Sequence, residues 1–121
     1  MKKNITLKQA IKAYLEDLKR ADRSPRTLYT YGKDCEQIQQ FFGEDRKLSS
    51  ILKTHVGKFM KSDELLILPD GRPRAKQTVM KTYRVLRLFF TWAKDEGLIS
   101  EVPMPKAKLS FKEEVLESEI D

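Results

Sequence analysis

The chain has 121 residues, 40% hydrophobic and 35% charged, with 24 Lys and Arg against 18 Asp and Glu for a net charge of +6. That is the length of one compact domain, large enough to hide roughly two-thirds of its unfolded surface in a core. The longest apolar run, Leu65-Leu66-Ile67-Leu68, is too short to span a bilayer, and polar Asn4 and Thr6 after Met1-Lys2-Lys3 argue against a secretory signal.

Thr6, with Gln9 three residues on, predicts a capping box that opens a first helix. Leu7, Ile11, Tyr14, Leu15 and Leu18 carry that helix at the right spacing to about Arg20. After the connector Ala21-Asp22-Arg23, Ser24 as N-cap and Pro25 at the first helical position mark the second helix. Its apolar stripe is Leu28, Tyr31, Cys35, Ile38 and Phe42, and Gly43 supplies a left-handed cap. Gly32 sits inside it at a cost of ~1 kcal/mol against Ala, which is expected to let a neighbouring helix approach closely. Cys35 reads as a small buried hydrophobe; as the lone cysteine it forms no internal disulfide and fits a reducing, cytoplasmic setting.

Leu48, Ile51 and Leu52 predict a short helical turn, and residues 54–60 a third main helix with Val56, Phe59 and Met60 inward. Residues 65–68 either finish that helix or begin a short extended piece before the Pro69-Asp70-Gly71 turn. A fourth helix spans about 76–96 and closes at Gly97. Val79, Tyr83, Leu86, Phe90 and Ala93 form its expected buried stripe, flanked by Phe89 and Trp92, with Leu98 and Ile99 folding back onto it. Val102-Pro103-Met104-Pro105 breaks any helix, and 106–112 reads as an extended basic linker. The expected organisation is therefore an all-α, four- to five-helix bundle over 1–101, then a linker and the truncated start of something further over 102–121.

The charge is unevenly placed. Residues 113–121 hold five acids and no base, so the remainder carries +11. Between Arg72 and Lys94 lie seven bases and no acid. Such a field predicts a polyanionic partner, nucleic acid being the commonest, against the plainer alternative of an ordinary solvated helix face.

No catalytic set is visible. His55 is the only histidine and reads as a surface residue, so neither a multi-His metal site nor a Cys/His zinc site can be assembled. Five scattered glycines form no phosphate loop, and neighbours such as Glu16-Asp17 and Asp95-Glu96 diverge around their helices. No catalytic residue, metal or cofactor is therefore expected in this stretch. What remains is a pair of similarly built helix starts. Arg23, Ser24, Arg26, Thr27, Thr30 and Lys33 gather on the second helix, and Arg74, Lys76, Gln77, Lys81, Arg84 and Arg87 on or near the first half of the fourth. Ser24 caps before it contacts anything else. Gln77 is the candidate for reading adenine, and Lys81 and Arg84 for neutralising phosphates. Tyr29, off the stripe, is placed to touch a sugar or phosphate, whereas Tyr31 and Tyr83 belong at the core edge.

Ser24-Pro25-Arg26-Thr27-Leu28, Tyr31 and Asp34 together resemble the S-x-x-T-x-x-x-Y-x-x-D opening of the core-binding domain of tyrosine recombinases, the phage integrases. Thr78-Val79, Tyr83 to Ala93 and Gly97-Leu98-Ile99 are similar to that domain's last helix and exit, Val102-Pro103 stands where Asn-Pro is common, and Leu116 to Ile120 looks like the start of the catalytic domain. The departures are Gly32 and Cys35, where longer residues are common, and the 69–74 turn. The resemblance implies a SAM-like orthogonal bundle that forms half of a clamp on double-stranded DNA. The partners it implies are the catalytic domain of the same chain and other recombinase protomers on DNA, with no membrane and a monomeric isolated fragment. It further implies a bacterial or phage-encoded protein that acts in DNA integration or recombination and carries no catalysis within this stretch. Competing readings are a helical protein–protein adaptor using Trp92, Phe89 and Leu98 as an exposed apolar contact, and a helix-turn-helix regulator.

Overall fold

The structure, a computed structural model, describes residues 5–104. Its helices are α1 (Leu7–Arg20), α2 (Pro25–Phe42), α3 (Lys53–Met60), α4 (Asp63–Leu66) and α5 (Lys76–Asp95), with a 3-10 turn at Leu48–Ser50. This is an all-α bundle. The expected linker at 106–112 and the acidic segment 113–121 lie outside the described residues.

The start of α1 is closed on every donor. Thr6 N–H donates to Gln9 Oε1 at 3.0 Å, and Gln9 N–H donates to Thr6 Oγ1 at 3.2 Å. Leu7 N–H and Lys8 N–H, which no helical carbonyl can serve, donate to Arg46 O at 2.8 Å and Glu44 O at 3.0 Å. Leu48 N–H returns to Ile5 O at 2.9 Å, so the loop after α2 is laced to the front of α1. At the other end, Asp22 takes a positive φ of 65°, and Asp22 N–H and Arg23 N–H reach Lys19 O and Leu18 O. That is a Schellman end built on a non-glycine residue.

The long helix α2 touches α1, α4 and α5, which makes it the central post of the bundle. Its Cys35, Ile38 and Phe42 are buried as the periodicity predicts, but Asp34 is buried with them. The 54–60 prediction corresponds to α3. Residues 65–68 do not finish the third helix, which stops at Met60; Leu65 and Leu66 end a separate single turn, α4, capped by Ser62. Ile67 is then extended and bridged to Pro73. Leu68 N–H donates to Arg72 O at 2.8 Å and Arg74 N–H to Leu66 O at 2.8 Å, so Pro69-Asp70-Gly71 is the tip of a small hairpin leading into α5.

The buried face of α5 is broader than the predicted stripe. Val79, Thr82, Val85, Leu86, Phe89, Phe90 and Ala93 are all buried, while Tyr83 is only half-buried. Phe89 is a core residue, not a flank, and packs edge-on against Tyr14 with ring centroids 5.5 Å apart. Trp92 lies 5.3 Å from Tyr14 and donates its indole N–H to Asp17 Oδ2 at 2.8 Å, which fixes α5 to α1. A second aromatic group joins Phe41 and Phe42 of α2 to Phe59 of α3, at 4.9 and 5.5 Å. The helix closes on Gly97 at φ 78°, with Gly97 N–H to Lys94 O and Leu98 N–H to Ala93 O, and Leu98 folds back into the core as expected. Packing continues past the expected boundary at residue 101, because Pro103 and Met104 are buried and Val102 lies against the core.

Gly32 corrects one expectation. A Cβ built there meets nothing within 4 Å, so no neighbouring helix depends on its smallness. Gly97 has equally open surroundings but a left-handed backbone. Gly32→Ala should therefore stabilise the domain by about 0.5–1 kcal/mol. Gly97→Ala should cost about 1–2 kcal/mol through its dihedral alone. Thermal melts of the two variants, moving in opposite directions, check this pair.

Candidate nucleic-acid interface

The first of the two helix starts, that of α2, begins at an exposed corner. Ser24 Oγ accepts from Thr27 N–H at 3.2 Å and donates to Thr27 Oγ1 at 3.0 Å, so its capping role is filled and Thr27 is drawn into it. Thr30 donates its hydroxyl back to Thr27 O at 3.1 Å. Arg23 and Arg26 are exposed, and among the described residues neither makes an ion pair or side-chain hydrogen bond. Arg26, Thr30, Lys33 and Gln37 recur at steps of four, three and four, which puts them on one stripe of α2. Tyr29 beside them is 66% exposed, with the Lys33 ammonium 5.6 Å from its ring centroid.

On α5 the exposed positions are Lys76, Gln77, Thr78, Arg84, Arg87, Leu88, Thr91, Lys94 and Asp95. Arg84, Arg87, Thr91 and Lys94 follow one another at helical steps of three, four and three, on the side opposite Phe89 and Leu86. Arg84 and Arg87 make no ion pair among the described residues. The twenty-residue helix is about 30 Å long. It opens on Ala75, which provides no side-chain cap, so the positive end of the helix is left bare beside these bases.

Between α2 and the entry to α5 lies a cleft of about 1000 Å³, bordered by Lys33, Asp34 and Gln37 of α2, by Arg74, and by Thr78 and Lys81 in the first turns of α5. Gln37 is the hinge-pin of its far wall. Its amide nitrogen donates to Glu64 O of α4, and its Oε1 accepts from Arg74 Nη1 at 2.9 Å. Arg74 is therefore partly spent on structure, and its buried Nε has no hydrogen-bond partner among the described residues. Arg72 pairs with Asp70 just outside the acid-free stretch, at 2.7 Å, which trims the local field.

Asp34 and Lys81, which line the cleft, belong to a polar cluster that the apolar periodicity misses. Thr82, fully buried, donates to Asp34 Oδ1 at 2.9 Å and also lies 3.2 Å from Thr78 O. Lys81 Nζ lies 3.2 Å from Asp34 Oδ2 as an ion pair, without the alignment of a hydrogen bond. Both residues look like surface positions in the sequence. The available signals are the place of Asp34 at the end of the Ser24-to-Asp34 motif and the spacing, since Asp34 adjoins Cys35 on the stripe and Thr82 lies three residues after Val79.

Of the twelve residues read from the sequence, Arg23, Arg26, Gln77, Arg84 and Arg87 are exposed and make no ion pair or side-chain hydrogen bond among the described residues. Lys76 is exposed as well. Ser24, Thr27, Thr30, Lys33, Arg74 and Lys81 already have intramolecular partners. The expected surface residue His55 is half-buried instead, its Nδ1 accepting from Leu52 N–H at 2.9 Å to cap α3, next to Arg46. The adaptor's apolar contact is also corrected, because Phe89 and Leu98 are buried in the core.

Cys35 is 1% exposed, and burial, helped by the charge of Asp34, pushes its thiol up to about 12. Among the described residues no three His, Cys, Asp or Glu side chains gather as metal ligands, and no helix is long and apolar enough to cross a membrane.

Two measurements follow from this packing. Thr82→Val removes the donor to a buried carboxylate and should cost about 1–3 kcal/mol. Thr82→Ser keeps the hydroxyl and should lose no more than about 1 kcal/mol for the missing methyl; denaturant titration separates the two. Alkylation of Cys35 in the folded protein at pH 8 should be about a thousandfold slower than that of a free thiol, and should reach the ordinary rate in denaturant.

No protein-family model, curated protein or solved structure matches this chain.

Proposed function

We propose that this chain is a DNA-binding domain of the core-binding type, one half of a clamp by which an integrase-type tyrosine recombinase grips its core site. The observation that carries the proposal is the outward face of α5, where Lys76, Gln77, Arg84, Arg87 and Lys94 are exposed with no acid before Asp95. Opposite this face α5 is clamped to α1 and α2, so the basic side is presented by a rigid element. The exposed corner at the start of α2, with Arg23 and Arg26, adds a second cationic point. Two such points suit a duplex, whose phosphates flank a major groove about 12 Å wide. The motif resemblance supplies the recombinase part of the reading.

In this role the domain contributes affinity and register while a partner domain does the chemistry. Most of its bases neutralise phosphate, and Gln77 at the tip of α5 is the residue placed to read a base edge. Adaptor function has lost its apolar contact, which leaves nucleic acid as the reading the surface favours.

Binding of the chain to a random-sequence duplex should weaken steeply between low and moderate salt. Arg84→Gln and Arg87→Gln should each flatten the log–log salt slope by about 0.9. Affinity that is absent at low salt, or insensitive to salt, refutes the proposal. Once a preferred site is known, Gln77→Ala should cost about 1–3 kcal/mol at a single base pair and little elsewhere.

A further inference from the structure

The basic face has an internal boundary, and Lys81 stands on it. It follows Gln77 by one helical step and precedes Arg84 by three residues, so by sequence it belongs to the same row. Its side chain nevertheless turns to the cleft, where the ammonium lies 3.2 Å from Asp34 Oδ2. The Asp34 side chain is 8% exposed, that of Lys81 38%. A carboxylate so deeply placed needs a counter-charge, since removing it from water unpaired costs several kcal/mol. Thr82 holds Oδ1 with a neutral hydrogen bond, which locates the carboxylate but leaves its charge uncompensated. Among the described residues Lys81 is the only base in ion-pair contact with it.

We infer that Asp34 withdraws Lys81 from the DNA-binding face and so sets which bases of α5 meet phosphate: Arg84 and Arg87 do, Lys81 does not. This rests on the DNA-binding reading above. Asp34 thereby acts as a positioning residue for the interface. It divides α5 into an outer row that releases counterions on binding and an inner lysine whose charge is already balanced. It also keeps the cleft from becoming a competing anion site, because Asp34, Glu36 and Glu64 there oppose Lys33, Arg74 and Lys81.

The salt slope reads this division, and a purely structural role would not move it. Wild type, Lys81→Gln, Asp34→Asn and the double variant would be titrated as full chains against one random-sequence duplex, with melts to confirm folding. Lys81→Gln should leave the slope unchanged. Asp34→Asn, which can still accept from Thr82, frees the ammonium and should steepen the slope by about 0.9. The double variant should return to the wild-type value. A slope flattened by about 0.9 in Lys81→Gln, or unchanged in Asp34→Asn, overturns the inference while leaving the DNA-binding reading intact. If Lys81→Gln does not fold, Asp34→Asn and the double variant decide the matter. Wild type without salt-dependent binding overturns the DNA-binding reading, and this inference with it.

Discussion

A carboxylate cannot be buried alone, and the junction of α2 with α5 is arranged around that constraint. Asp34 sits on the post helix among Cys35, Ile38 and Phe42, where any registry error would leave it without Thr82 or Lys81. An apolar contact tolerates sliding by a fraction of a turn at modest cost. A buried charge does not, because its partners are two particular atoms. The α2–α5 register is thus specified by polarity within an otherwise apolar joint. Everything the candidate interface needs follows from it, since the angle at which α5 shows its bases is the angle at which Thr82 meets Asp34.

The supporting contacts share a logic of closing one element on another's loose ends. Gln37 uses both ends of its amide to tie α4 and Arg74 to α2, which holds the hairpin that delivers the chain to α5. Trp92 and Asp17 do the same between α5 and α1, where an indole N–H would otherwise be stranded beside Tyr14 and Phe89. Together these side chains fix α5 from two sides and leave its third side to solvent.

What the sequence made legible was local. The boundaries of α1, α2 and α5 are written in Thr6, Gln9, Ser24, Pro25, Gly43 and Gly97, and each acts within a turn of itself. Residues 65–68 were ambiguous because four apolar residues carry no period, and the chain indeed changes from helix to extended between Leu66 and Ile67. The inward placement of Asp34, Gln37, Thr82 and His55 was not legible for another reason. Polar residues are read as outward by default, and only the partner's position shows that they face in. The breadth of the α5 stripe was underestimated likewise, because α5 is packed by both α1 and α2. In the candidate site, residue types and side were readable, whereas the division between engaged and available bases was not. For Arg74 and Lys81 it depends on partners 37 and 47 residues away in the chain.

The burial of Pro103 and Met104 changes where the rest of the chain is moored. A chain leaving at the expected boundary of residue 101 would have three more residues of reach than one leaving from Met104, roughly 10 Å when extended. Shortening a tether raises the effective concentration of whatever it carries and narrows the volume it can sweep. The origin of that sweep is set by the same core that sets α5, so the basic face and the departing chain keep a fixed offset from one another.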